Sequence, residues 1–224
     1  PDPRLRETRS SLKRLMAPLG RLRDAHGKRD WIRKVLPAGD EPSYAFAVQV
    51  ASDVLRWEAR VRDRLGARAT ARLRVPVGRI RGRVREPGEI AGLAHRHLRK
   101  LESAVEKERE AALDPAAMEA LHRMRLAFKR YRYAAEVFFP LFPAATEETA
   151  ERLHSFQTLL GTIHDFDVIL AEAASFRRDI LVRDEESALE KAFRNLREEK
   201  FREFLDLAGS AGGLSRVLGT ECRP

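Results

Sequence analysis

The stretch LHRMRLAFKRYRYAAEVFF (residues 121–139) mixes cations with large apolar side chains, and their order decides the fold. At about 100° per residue on an α-helix, the two kinds of side chain fall on opposite faces. The apolar face comprises Met124, Phe128, Tyr131, Ala135 and Phe138. The other face, here called the cationic stripe, comprises His122, Arg125, Lys129, Arg132 and Glu136. The stretch therefore predicts an amphipathic helix whose apolar face is buried.

The same helical spacing of apolar residues runs along almost the whole chain, and strand-like alternation is nearly absent. Breaks at proline and glycine clusters predict six helices, at 4–27, 43–66, 89–112, 116–139, 146–176 and 185–207. Asp114 before Pro115 predicts a helix N-cap. We expect an all-α fold of antiparallel helical bundles.

Composition limits the classes of function. The 224 residues include 43 Lys and Arg against 34 Asp and Glu, a net charge of +9, so a polyanionic partner is expected. The single cysteine, Cys222, excludes a disulfide framework and a cysteine-based zinc site. No apolar run approaches the ~20 residues that span a bilayer, and residues 1–30 lack a signal-peptide core, so we expect a soluble, cytoplasmic protein.

An internal repeat is suggested by LKRLMAPLGRLRDAHGKRDWI (12–32) and LHSFQTLLGTIHDFDVILAEA (153–173), which share an L…LG…D frame at an offset of 141. The matched positions are Leu12, Leu19, Gly20 and Asp24 with Leu153, Leu160, Gly161 and Asp165. The two glycines are expected to be helix-packing or turn residues. Chance could also supply so short a match, and the duplication stays open on these residues alone.

The cationic stripe has one acid among five positions, so repulsion between successive turns is not relieved by alternating charge. A solvated surface with Arg and Lys stems over apolar neighbours is the plain alternative. Phosphate oxygens are the better-fitting partner, because Arg supplies forked donors and Lys a point charge.

These residues resemble the CHAD domain, the conserved histidine α-helical domain. Its pattern is a helix approximating His-x-x-Arg-x-x-x-[Lys/Arg]-Arg-x-Arg, followed by a helix ending in Leu-Gly-x-x-[Arg/His]-Asp-x-Asp, and the pair occurs twice. HRMRLAFKRYRYAAE (122–136) and FQTLLGTIHDFDVIL (156–170) match the second copy. The 12–32 segment matches the second helix of the first copy, with His26 where the final Asp is usual. The resemblance extends from Arg4 to about Leu207.

The resemblance implies two pseudo-symmetric halves around a basic central channel that binds inorganic polyphosphate without catalysis. It also implies association with polyphosphate granules and with triphosphate tunnel (CYTH) enzymes. The implied polyphosphate-binding residues are His122, Arg125, Lys129, Arg130 and Arg132, followed by Arg6, Arg9 and Lys13 with the same spacing near the N-terminus.

The first copy's own His-x-x-Arg helix is absent from this sequence, and a missing helix would bare apolar surface and invite association between copies. We expect a single domain over 1–207, with halves at about 1–112 and 113–207 and a flexible tail at 208–224. No cofactor is expected.

A second basic region, residues 56–85, contains eleven arginines and two acids. It is either a solvated linker or a polyanion-binding arm, for the same ligand or for nucleic acid. Nucleic acid is the weaker expectation, because no aromatic residue in its alternating part, 72–85, could stack bases.

The catalytic alternative is a metal-dependent HD-type phosphohydrolase, suggested by His164-Asp165 with His122, His154 and Asp167. Two features weaken it. The repeat equivalent of His164 is Arg23, which binds no metal, and the cations around His122 would repel a divalent ion. No Gly-x-Ser-x-Gly elbow supports nucleophilic catalysis.

Overall fold

A computed structural model describes residues 3–65, 86–142, 145–181 and 185–209, and within those ranges it contains helices and no strand. The six α-helices are α1 (Pro3–Val35), α2 (Glu41–Arg64), α3 (Pro87–Ala112), α4 (Met118–Phe138), α5 (Glu147–Phe176) and α6 (Ala188–Ala208). A 3₁₀ turn, Phe139–Leu141, follows α4, and the π-helical segment Arg177–Leu181 follows α5. The predicted all-α class is confirmed.

The predicted end of the first helix and the predicted N-cap of the fourth helix were wrong. The first helix continues past Gly27 to Val35, because Ile32 carries the buried face onward and is 2% exposed. The fourth helix begins at Met118 rather than 116, and its N-cap is Ala117. Asp114 instead closes a turn before the helix, where its carboxylate accepts from the Ala116 N–H at 2.9 Å.

By their contacts the residues form two compact units, and the first comprises Pro1–Gly82 and Ala171–Phe193. Within it Phe46 of α2 is buried and lies 5.6 Å from the Phe176 ring, measured between centroids. Asp40 caps two helices at once, since its carboxylate accepts from the Ser43 N–H at 3.1 Å and from the Ala188 N–H at 3.2 Å. These bonds fix the start of α6 to the start of α2.

The second unit comprises Arg83–Leu170 and Arg194–Pro224. Its core contains side chains from α3, α4, α5 and α6. Met124, Phe128, Tyr131 and Ala135 of α4 are at most 2% exposed, and Phe138 packs against them partly buried. The predicted buried face of α4 is therefore confirmed, and the cationic stripe lies on the remaining surface of that helix.

The predicted pseudo-symmetric halves, central channel and 1–207 domain with its tail stay predictions. The sequence predicts that apolar surface is exposed on the first half. Exposed apolar side chains do occur on α1 and α2, at Leu12, Met16, Tyr44, Val48 and Leu55. The expected association between copies stays a prediction. None of the described helices combines the length and apolarity needed to cross a membrane.

Candidate functional site

The cationic stripe of α4 is divided by burial. His122, Arg125 and Lys129 are half-buried, Arg132 is buried, and Arg130 beside the stripe is exposed. The stripe therefore lies partly within the packed second unit and partly at its surface.

His122 packs against His164 of α5, with ring centroids 4.6 Å apart. The His122 Nδ1 atom is buried and makes no hydrogen bond within the described part of the chain. A buried polar atom left unsatisfied costs about 1–3 kcal/mol. Histidine at this position is therefore not explained by folded-state stability, which makes it a candidate for ligand contact.

Arg125 and Lys129 lie one turn apart and form no ion pair with any described carboxylate. Lys129 is 5.8 Å from the centre of the Tyr133 ring, a weak cation–π contact. Two half-buried like charges at this spacing repel each other, and an anion between them would remove that repulsion.

Arg132 is held by internal contacts. Its Nε donates to Gln157 at 2.6 Å and its Nη1 to Glu136 at 2.6 Å, and its guanidinium is 4.5 Å from the Tyr133 ring centre. Nη1 also lies 3.3 Å from His154 Nδ1, which must accept because a guanidinium only donates. Arg132 thus ties α4 to α5, and its role as a phosphate ligand stays a prediction.

Gly161 occupies a gap between these contacts. One face of α5 carries Gln157, Gly161 and His164. That face contacts α4 at two points, because Gln157 contacts Arg132 and His164 contacts His122. Apart from its chain neighbours and the adjacent backbone of α5 itself, no described atom lies within 4 Å of the position that a Gly161 Cβ would occupy. The backbone of α5 is therefore open to close approach between its contacts with Arg132 and with His122.

The helix-packing or turn role expected for Gly20 and Gly161 was wrong. Both glycines lie inside helices, and the Cβ position of Gly20 is likewise free of atoms within 4 Å. Sequence alone could not show this, because it does not contain the distance between two helices.

The second set of predicted ligands lies on α1 in the first unit. Arg9 and Lys13 are exposed there, and Arg6 lies on the same helix with its side chain outside the described residues. Most of the Arg-rich 56–85 region, residues 66–85, also lies outside them.

The residues proposed for the alternative metal site do not form a set of metal ligands in the described part of the chain. Among the described residues, no three His, Cys, Asp or Glu side chains are grouped so as to hold a metal ion. His154 contacts Arg132, and Asp167 pairs with Arg197 at 2.8 Å. Arg197 also donates to the Pro115 carbonyl, so the Asp167 pair joins three segments of the second unit.

His164, Gln157 and Gly161 were missed as members of this site. The only available signal was their four-three spacing, which places them on one face of α5 opposite a helix of similar spacing. In the sequence analysis Gly161 was instead interpreted as a helix-packing or turn glycine, and His164 was considered only in the weaker metal-site alternative.

Comparison with known proteins places the chain in a family. A family model of the CHAD domain matches residues 1–174. No curated protein and no solved structure matches the chain. Since the family match covers well over half of the 224 residues, the chain belongs to the CHAD domain family.

Proposed function

We propose that the protein binds inorganic polyphosphate through the cationic stripe of α4 and the gap at Gly161. The observation that carries this proposal is the pair Arg125 and Lys129, which are half-buried and have no described carboxylate partner. Membership of the CHAD family is consistent with polyphosphate as the ligand.

In this proposal each residue has a distinct part. Arg125 donates a fork of N–H groups to phosphate oxygens, and Lys129 contributes a mobile point charge. His122 supplies an imidazole at the edge of the gap, and Arg130 adds charge from the exposed surface. Arg132 holds α4 against α5, which fixes the width of the gap before the ligand arrives.

The binding is non-catalytic in our proposal. The protein would localise to polyphosphate granules and associate with triphosphate tunnel enzymes, which are further parts of the same proposal. Incubation of polyphosphate with manganese or magnesium is expected to release no orthophosphate. Release that is lost in His164→Ala would favour the hydrolase alternative instead.

Titration of long-chain polyphosphate against duplex DNA and single-stranded RNA, at one salt concentration, tests the ligand. Polyphosphate is expected to bind most tightly, and equal or tighter binding of either nucleic acid would refute the assignment. Arg125→Gln and Lys129→Gln are each expected to weaken polyphosphate binding about tenfold, the effect of losing one charge-assisted contact.

Arg123→Gln is the matched control. Arg123 lies on the same helix and carries the same charge, but its Nε donates to Glu108 at 2.8 Å. We expect its loss to change affinity about twofold or less, as for a charge already neutralised by a partner. If Arg123→Gln weakens binding as much as Arg125→Gln, net charge rather than the stripe determines affinity.

A further inference from the structure

A cavity of about 460 Å³ in the first unit is lined by Ala17, Pro18, Arg21, Trp57, Arg60 and Arg64. Among the described residues, its lining includes three guanidinium groups and no acid. Cavities of roughly 300–1,000 Å³ are the usual size of small-molecule sites. The cavity belongs to α1 and α2, and nothing in the function proposed above uses it.

Trp57 positions two of these cations. The guanidinium carbon lies 4.8 Å from the Trp57 ring centre in Arg60 and 5.9 Å from it in Arg21. Both distances are within the ~6 Å range of a cation–π contact. The Trp57 ring therefore attracts cations from α1 and from α2 to the same cavity.

Three of the carboxylates close to these arginines in the chain are engaged elsewhere. Asp24 pairs with Arg23 at 3.3 Å, Asp53 with Arg56 at 2.7 Å, and Glu58 with His26 at 3.1 Å. Within the described ranges, Arg21, Arg60 and Arg64 form no ion pair. Three like charges thus line one cavity without a described ion pair, and an anion bound there would reduce their repulsion.

A cavity in the second unit gives an internal contrast. It measures about 360 Å³, and Thr158, Leu159 and Thr162 line it at the repeat positions of Ala17, Pro18 and Arg21. Its lining lysine, Lys200, is neutralised by Glu203 at 2.5 Å. Among the described residues, the unpaired positive charge thus distinguishes the first cavity from the second.

We propose that the Trp57 cavity binds a triphosphate group, carried by inorganic tripolyphosphate or by a nucleoside triphosphate. Three forked donors around one cavity match several adjacent phosphoryl groups better than a single orthophosphate. Arg60 and Arg64 contact the ligand from successive turns of α2, and Arg21 contacts it from α1. This site goes beyond the α4 stripe and does not depend on polyphosphate binding there.

The fluorescence emission of Trp57 can detect binding at this site, because a ligand that moves the neighbouring guanidinium groups changes the environment of the indole ring. The chain has two tryptophans, so a Trp31→Phe background leaves Trp57 as the single source. Tripolyphosphate and ATP, at constant ionic strength, are each expected to give a saturable change, and orthophosphate a much weaker one. If ATP and tripolyphosphate give the same dissociation constant, the site recognises the phosphates alone. If ATP binds more tightly, the site also contacts the base or the sugar.

Arg60→Gln and Arg64→Gln are each expected to weaken the response about tenfold. The matched control is Arg62→Gln, since Arg62 is exposed on α2 but does not line the cavity. All three are surface substitutions, and circular dichroism verifies that helix content is unchanged. Equal weakening by Arg62→Gln, or no saturable response at all, overturns the proposal.

Arg125→Gln separates this site from the proposed function. If that variant removes the Trp57 response and Arg60→Gln does not, the triphosphate site is wrong and the α4 proposal stands. If the Trp57 response saturates while Arg125→Gln leaves polyphosphate binding unchanged, the α4 proposal is wrong and the triphosphate site stands.

Discussion

At the scale of single residues, the candidate site combines cations that have no described carboxylate partner with one glycine, Gly161, on the facing helix. His122 keeps a buried, unsatisfied Nδ1, and Arg125 and Lys129 lack a described carboxylate. Each of these features is unfavourable for the folded protein alone, and each is relieved by an anion. That combination distinguishes the stripe from an ordinary solvated helix face, where charges are paired as at Arg123 and Glu108.

Gly161 gives a prediction at this scale. Alanine at an exposed or open helix interior is about 0.5–1 kcal/mol more stable than glycine, and no atom blocks a Cβ at this position. Gly161→Ala should therefore raise the free energy of unfolding, measured by urea denaturation. Gly161→Leu should also fill the gap and weaken polyphosphate binding.

Gly27→Ala is the control for Gly161, since Gly27 also lies inside a helix with no atom near its Cβ position. It should gain similar stability and keep its affinity for polyphosphate. If Gly161→Leu binds polyphosphate as tightly as the wild type, the gap is not part of the site.

At the scale of helices, Asp167 of α5 and Arg197 of α6 make a pair that responds to pH. Burial raises the pKa of Asp167 above its usual value of 3.8, and the hydrogen bond and charge of Arg197 oppose that rise. A carboxyl whose pKa is higher in the folded state favours folding below its unfolded pKa, and this contribution is lost as the pH rises through the folded pKa.

Asp167→Asn cannot titrate and keeps a side-chain oxygen that accepts from Arg197. Relative to the wild type, its free energy of unfolding is therefore expected to increase as the pH is raised from about 4 to 7. Urea unfolding of both proteins at matched pH values measures the difference. A difference that is constant, or that favours the wild type increasingly at higher pH, would contradict the pKa assignment.

The helices themselves were largely predictable, because apolar spacing along one chain determines which face of a helix is buried. The buried residues of α4 were predicted in this way and confirmed. What each helix packs against was not predictable. The partners of Arg132, the gap at Gly161 and the cluster around Trp57 all depend on a second helix, and no spacing within one helix contains that information.

At the scale of the whole molecule, a net charge of +9 attracts any polyanion, so affinity alone does not identify the site. Salt dependence is more informative. The logarithm of the polyphosphate binding constant is expected to fall linearly with the logarithm of salt concentration. Arg125→Gln should reduce that slope by about one, the value for one lost phosphate contact.

Arg123→Gln should leave the slope close to that of the wild type, because its charge is paired with Glu108. Equal slopes for all three proteins would indicate that Arg125 releases no counterion when polyphosphate binds. The measurement needs only a titration series at four or more salt concentrations.

The double cap at Asp40 has a consequence for the order of folding during synthesis. Asp40 and the core around Phe46 are translated early, yet the first unit also requires Ala188, the buried Leu189 and the buried Phe193. Ribosomes add about 5–20 residues per second, and domains commonly fold as they emerge. Here the first unit has to wait until some 150 further residues have been added after Asp40. During that interval α1 and α2 lack their last partners, and the apolar side chains that α6 will cover stay in contact with water.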